Sequence, residues 1–276
     1  MTDLIDAAGL AALLGDPDLV VLDVRWRLDA PDGRPAHREG HVPGAVYVDL
    51  DRELAGPPSP AAGRHPLPST AALQISARGW GVRTGSTVVA YDDLGGMSAA
   101  RAWWLLRDAG VADVRLLDGG VAAWRAAGLP LESGEVVRAR GDVVLTRGRM
   151  PVIDADGAAA FEGVLLDARA GERYGGEVEP IDPRAGHVPG AVSAPTAQNL
   201  GPDGRFLPAA ALRERFAAAG VTDGVPVATY CGSGVTAAHE AFALRLAGFE
   251  AAVYPGSWSQ WSSDPARPVA TGPLPR

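Results

Sequence analysis

The chain has 276 residues, nearly half of them apolar, and a formal net charge of −8. Length and composition call for a globular protein with a sizeable core, built as one large domain or two ordinary ones. The acid excess argues against nucleic-acid binding, which needs a basic face, and any anionic substrate must be drawn in by a local positive site. The single cysteine, Cys231, rules out an internal disulfide and a Cys-rich zinc site. The opening residues, "MTDLIDAAGLAALLGDPD", have no basic n-region and are broken by acids, unlike a signal peptide. No run approaches the roughly 20 apolar residues that span a bilayer. These features predict a soluble, cytoplasmic protein with no membrane partner, in a compartment that keeps thiols reduced.

In chain order, "DLVVLDVR", "TVVAYDD" and "DVRLLDG" read as buried strands of a first half, and "SAARAWWLLRDAG", ending at Gly110, reads as a helix. The interval from about Leu131 to Pro151 has weak periodicity and more charge; it reads as a connection with room for a strand of its own. "GVLLDAR", "VPVATYC" and "EAAVYPG" are the strands of a second half. Between the last two lies "TAAHEAFALRLAG", where Ala238, Phe242 and Leu246 recur four apart and Gly248 supplies a stop. Continuous apolar strands alternating with helices predict an α/β fold, a parallel sheet covered on both faces in each half.

The halves are copies. "VVLDVR" is repeated as "VLLDAR", "EGHVPGAV" as "AGHVPGAV", and "LRDAGVADVRLLDGGVAAW" as "LRLAGFEAAVYPGSWSQW", in the same order. The boundaries read as a first domain over 1–135, a linker over 136–150 and a second domain over 151–276. Such a duplication is its own control: features in both copies serve the scaffold, and features in one copy are candidates for function. His41 and His187 sit in the same Gly-His-Val-Pro-Gly-Ala string, so we read each as a side chain bonding its own turn. His37 and His41 have the spacing of a helical metal pair, but the segment is a turn with no third ligand nearby, so no metal is expected.

The copies part at one strand end, which reads Tyr91-Asp92-Asp93 in the first and Tyr230-Cys231-Gly232-Ser233-Gly234-Val235-Thr236 in the second. Cys231 therefore stands at the C-terminal edge of a parallel sheet, where open α/β folds bind ligands. A helix starting near Val235 and a glycine-rich turn place backbone N–H groups around the sulfur, and Ser233 and Thr236 add hydroxyls. Three chemistries use such a cradle. A Cys-dependent phosphatase needs an arginine six residues on, where Ala237 stands. Dinucleotide binding would use "GSGVTA", a weak match with no acidic residue after the next strand. Sulfur transfer through a cysteine persulfide needs a thiolate, an anion cradle and orienting cations, with no metal or organic cofactor.

On these residues the chain resembles the two-domain sulfurtransferases of the rhodanese superfamily: the duplication, "GHVPGA" in both halves, "LLDGGVAAW", "YPGSWSQW" and the loop Cys-Gly-Ser-Gly-Val-Thr all match its pattern. The resemblance implies tandem rhodanese-like domains, the first lacking the catalytic cysteine. It implies Cys231 as nucleophile and Gly232, Ser233, Gly234, Val235 and Thr236 as its cradle. Arg173 matches an arginine that binds the donor's carboxylate or sulfonate, and Trp258 a residue at the pocket mouth, though packing is an equal reading of that tryptophan. Asp51 and His65 match an acid and a histidine that, with Ser233, handle a proton. His65 has no histidine at its counterpart in the second half, which favours function; a solvated loop histidine is the other reading. The Cys-Gly-Ser-Gly loop resembles the 3-mercaptopyruvate branch; the thiosulfate branch has Arg-Lys where Gly232 and Ser233 stand. A second arginine of the mercaptopyruvate branch is missing after Glu179-Pro180, and Arg184 is a candidate to replace it. Ala238 stands where many relatives carry a cysteine, so a redox switch in that helix is not available. The implied partners are a small anionic sulfur donor and a thiophilic acceptor such as cyanide, a thiol or thioredoxin. The other function class the resemblance allows is a non-catalytic rhodanese-like binding or regulatory protein.

Overall fold

The computed structural model describes residues 3–275 and divides into two compact units. The first comprises residues 1–56, 68–150 and 202–206; the second comprises 57–67, 151–201 and 207–276. Each unit thus takes one short loop from the other's stretch of sequence.

Among its described residues the first unit has five parallel strands, β1 (Leu4–Ile5), β2 (Leu19–Asp23), β3 (Val46–Tyr47), β4 (Thr87–Tyr91) and β5 (Asp113–Leu117), in the order β1-β5-β4-β2-β3. Its helices are α1 (Ala7–Leu13), α2 (Arg34–Glu39), α3 (Leu50–Glu53), α4 (Thr70–Gly79), α5 (Ala99–Asp108) and α6 (Gly120–Ala126). Every residue of β2 is buried, as a central parallel strand requires. The pleat sends Leu19 and Val21 of β2 and Val89 and Tyr91 of β4 into one cluster with Leu10, Val42 and Trp124. Full burial of one such aliphatic side chain contributes about 1.5–3 kcal/mol.

The second unit has β6 (Val164–Asp167), β7 (Val192–Ser193), β8 (Val227–Tyr230) and β9 (Ala252–Val253), all parallel, in the order β7-β6-β8-β9. This repeats the β3-β2-β4-β5 order of the first unit, and a parallel bridge from Val152 to Val253 stands where β1 pairs with β5. The helices are α7 (Ala155–Ala159), α8 (Gly171–Gly175), α9 (Ala209–Ala218), α10 (Val235–Leu246) and α11 (Ser257–Trp261). The predicted strands and the two long helices are found, with α10 starting at Val235 and Gly248 in the left-handed region just past its end.

The interval from Leu131 to Pro151 forms no strand. Residues 136–150, read from sequence as a linker, pack within the first unit: Gly141 N–H donates to Arg78 O at 2.8 Å and Thr146 N–H to Ala109 O at 3.0 Å. The buried Asp108 carboxylate accepts from Arg147 Nε at 2.6 Å and from the amides of Gly148, Arg149 and Met150. These partners satisfy an irregular segment that periodicity cannot reveal. No helix among the described residues is long and apolar enough to cross a membrane.

The duplicated Gly-His-Val-Pro-Gly-Ala strings sit on duplicated buried networks. Asp23 takes Arg25 Nε at 2.9 Å and Tyr91 OH at 2.9 Å; Asp167 takes Arg169 Nε at 3.0 Å. Val42 N–H donates to Tyr91 OH, and Val188 N–H to Tyr230 OH. His41 donates Nδ1–H to His37 O at 2.7 Å and His187 to Tyr174 O at 2.9 Å. Each histidine therefore bonds the helix before it, α2 or α8, rather than its own turn. Each also stacks on one ring of that helix, His41 on His37 and His187 on Tyr174. Burial holds both imidazoles below the usual histidine range, hence neutral. They belong to the scaffold.

Candidate active site

Cys231 follows β8 directly and is 1% exposed. Its Sγ accepts from Gly234 N–H at 3.1 Å and Ser233 N–H at 3.4 Å. The turn that aims these amides needs glycine at 234. Its φ is +81°, and a Cβ there would fall 2.4 Å from Pro255 O. Cys231 is anchored from α11: its N–H donates to Ser257 Oγ at 3.1 Å, and its carbonyl accepts from Trp258 N–H at 2.9 Å. Ser257 has φ +51°, strained for a residue with a side chain, and its Oγ donates in turn to Tyr254 O at 2.8 Å. Amides and a helix N-terminus converge on one sulfur, an arrangement that favours negative charge there.

The first unit shows the same turn with its anion built in. The Asp92 carboxylate is fully buried and accepts from the amides of Leu94 and Gly96 at 2.8 Å, Ser98 at 2.7 Å and Ala99 at 2.9 Å. Burial nonetheless raises its pKa above the ordinary aspartate range, against those four donors.

His65 belongs to the second unit through the 57–67 loop, and its Nδ1 lies 2.8 Å from Ser233 Oγ. It is 8% exposed, so it is not a solvated loop histidine. The loop is pinned by Arg64 N–H to Ser259 Oγ at 3.0 Å and Gln260 Nε2 to Ala61 O at 2.6 Å. At Gly63 the chain runs so close to α11 that a Cβ would lie 2.7 Å from Gly256 O. Asp51 lies on α3 in the first unit, exposed to solvent.

Arg173, on α8, donates Nη2 to Glu179 Oε1 at 2.7 Å and lies 3.3 Å from Asp182 Oδ2. A Cβ built on Gly232 would sit 3.5 Å from its Nη1, so the guanidinium overlies the cysteine loop. Arg64 Nη2 is nearer still, 3.1 Å from the same point, and Arg64 pairs with Asp182. Burial raises the pKa of Asp182, with Glu179 adding to the rise and Arg64 opposing it. Val235 is buried at the first position of α10 and Thr236 half-buried beside it.

Two readings that the sequence left open meet their geometry here. Trp258 does not face an opening: it is fully buried, its Nε1 donates to Arg184 O at 2.9 Å, and Arg169 lies 4.6 Å over its ring. It packs behind the cysteine loop. Arg184 is not free to replace the missing arginine, because its guanidinium donates to the carbonyls of Ser262, Arg267, Trp261 and Asp264. Sequence reasoning did not single out Arg64, Asp182 or Ser257.

The Rhodanese-like domain family matches residues 6–127 and 153–264. The chain belongs to the rhodanese family. It is 49% identical to "Putative thiosulfate sulfurtransferase SseB" of Mycobacterium tuberculosis, over 98% of this chain and 97% of that protein. It is 52% identical to "Probable 3-mercaptopyruvate sulfurtransferase" of Pseudomonas aeruginosa, over 98% of each. The crystal structure of SseA from Escherichia coli, a 3-mercaptopyruvate sulfurtransferase, matches with TM-score 0.81 and 32% identity over 94% of this chain and 99% of that one. This rhodanese is a sulfurtransferase with tandem domains, and as such it has a sulfur donor and an acceptor. The Mycobacterium tuberculosis and Pseudomonas aeruginosa relatives carry the names of different donors.

Proposed function

We propose that this rhodanese moves sulfane sulfur from 3-mercaptopyruvate to a thiophilic acceptor through a persulfide on Cys231, with thiosulfate as the next donor. The observation that carries this is the pair of amides, Ser233 and Gly234, converging on the Cys231 sulfur. They stabilise the attacking thiolate and then the persulfide of like charge.

Arg173 holds the donor's anionic end above Gly232. The Cys231 thiolate attacks the donor's outer sulfur and a new S–S bond forms. With 3-mercaptopyruvate the C–S bond breaks, its electron pair leaves on the pyruvate enolate, and the enolate takes up one proton to become pyruvate. With thiosulfate the S–S bond breaks and sulfite departs with the pair, needing no proton. The Ser233–His65 pair supplies the enolate's proton. The role given to Asp51 in that relay rests on the family resemblance. A cytoplasmic thiol or thioredoxin-like protein then attacks the outer sulfur and restores the thiolate.

Intact-mass analysis after incubation with each donor tests the reading. The expected result is a gain of one sulfur atom that Cys231→Ser abolishes. No gain from either donor would refute it.

A further inference from the structure

The 57–67 loop brings a second arginine, Arg64, to the cysteine loop of the second unit. Arg64 and Arg173 share one carboxylate, since Asp182 takes Arg64 Nη1 on Oδ1 and Arg173 Nη2 on Oδ2. Both guanidiniums reach the space over Gly232, at 3.1 and 3.5 Å from where its Cβ would be. In each, Nε is buried and makes no hydrogen bond among the described residues. Two guanidiniums that turn Nη groups toward one space beside the cysteine loop form a paired positive site for an anion.

We propose that Arg64 is a donor-positioning residue which, with Arg173, clamps the carboxylate of 3-mercaptopyruvate above Gly232; this rests on the persulfide reading. The planar fork of each guanidinium suits a planar carboxylate. Asp182 pairs with both forks and Glu179 with that of Arg173, balancing their charge until the donor arrives. Gly232 is part of the device: a long side chain there and the two guanidiniums exclude each other. The repeat supports a role beyond scaffolding. Arg205, the counterpart of Arg64 in a second Gly-Arg loop, pairs with Asp203 on the surface of the first unit. Ala36 stands where the second unit has Arg173, one residue before the stacking ring of the helix.

The test is steady-state kinetics with 3-mercaptopyruvate on Arg64→Ala, Arg64→Lys and Asp182→Asn, with melting temperatures measured alongside. Arg64→Ala should raise the donor KM about tenfold or more, with a smaller change in kcat and with Cys231 still loaded at saturating donor. Arg64→Lys keeps the charge and the Asp182 pair but not the fork, so it should raise KM severalfold at a melting temperature near wild type. It also carries the test should the alanine variant fail to fold. Asp182→Asn removes the ion pair and leaves both guanidiniums, so the donor KM should stay the same or fall. A wild-type KM in Arg64→Lys, or a rise in Asp182→Asn equal to that in Arg64→Ala, would assign Arg64 to holding the loop and overturn the proposal. Failure of the persulfide reading looks different: the wild-type protein takes no sulfur from either donor.

Discussion

His65 Nδ1 lies 2.8 Å from Ser233 Oγ across 168 positions of sequence. In the proposed mechanism this pair carries a proton that only one of the two donors needs. His65→Ala should lower kcat with 3-mercaptopyruvate by about 10²-fold or more, the usual scale of general acid–base assistance. Turnover of thiosulfate should change by less than about threefold on the same principle. Equal losses with both donors would show that His65 acts through loop structure.

Ser257 separates strain from function at the anchor of Cys231. Its counterpart in the first unit is Gly120, with φ +57°. Ser257→Gly should relieve about 1 kcal/mol of left-handed strain while removing the acceptor for Cys231 N–H, so thermal stability holds or rises and sulfur transfer slows. Ser257→Ala keeps the strain and loses the bond, so both fall. A glycine variant with wild-type transfer would show that the Oγ does not position the thiol.

Asp92 is the filled version of the cradle. Asp92→Ala leaves four amides without an acceptor, and water recovers part of the loss. The first unit should lose about 3 kcal/mol in urea unfolding, with Cys231 loading intact in the folded protein. An unchanged urea midpoint would contradict the accounting.

Burial raises the pKa of Asp182, the carboxylate shared by Arg64 and Arg173. Raised above the ordinary aspartate value of 3.8, it neutralises at a higher pH than a free carboxyl would. As pH falls toward that value the carboxylate charge shared by Arg64 and Arg173 is withdrawn, and their pull on an external anion grows. Competitive inhibition by pyruvate, which needs no thiolate, should therefore tighten as pH falls from neutral into the range where Asp182 takes up its proton. The slope should vanish in Asp182→Asn. A slope unchanged by that substitution would place the titrating group elsewhere.

The strands and the two long helices were legible because β2, β4, β6 and β8 are continuous apolar runs and because the chain repeats itself. Cys231 was legible because Asp92 replaces it in the other copy, and His65 because Phe206 stands at its counterpart. The same comparison hid Arg64, since Gly-Arg occurs in both loops; what differs is the surrounding charge, Asp182 and Arg173 in one case and Asp203 in the other. Trp258 stayed open between two readings because a tryptophan at a pocket mouth and one packed behind a loop leave the same letter in the sequence. Residues 136–150 read as a linker because their partners, Arg78, Ala109 and Asp108, lie tens of residues away.

The loop exchange has a genetic meaning. Residues 57–67 are encoded in the first half yet deliver Arg64 and His65 to the second unit, while 202–206 travel the other way, with Phe206 N–H donating to Asp118 at 3.0 Å. A cut at the midpoint of the gene therefore yields two fragments, each carrying a piece of the other. Recombination between relatives at that point would pair a cysteine loop with a foreign arginine and histidine. The two copies are no longer separable at their sequence midpoint, because the 57–67 loop of the first half folds with the second unit.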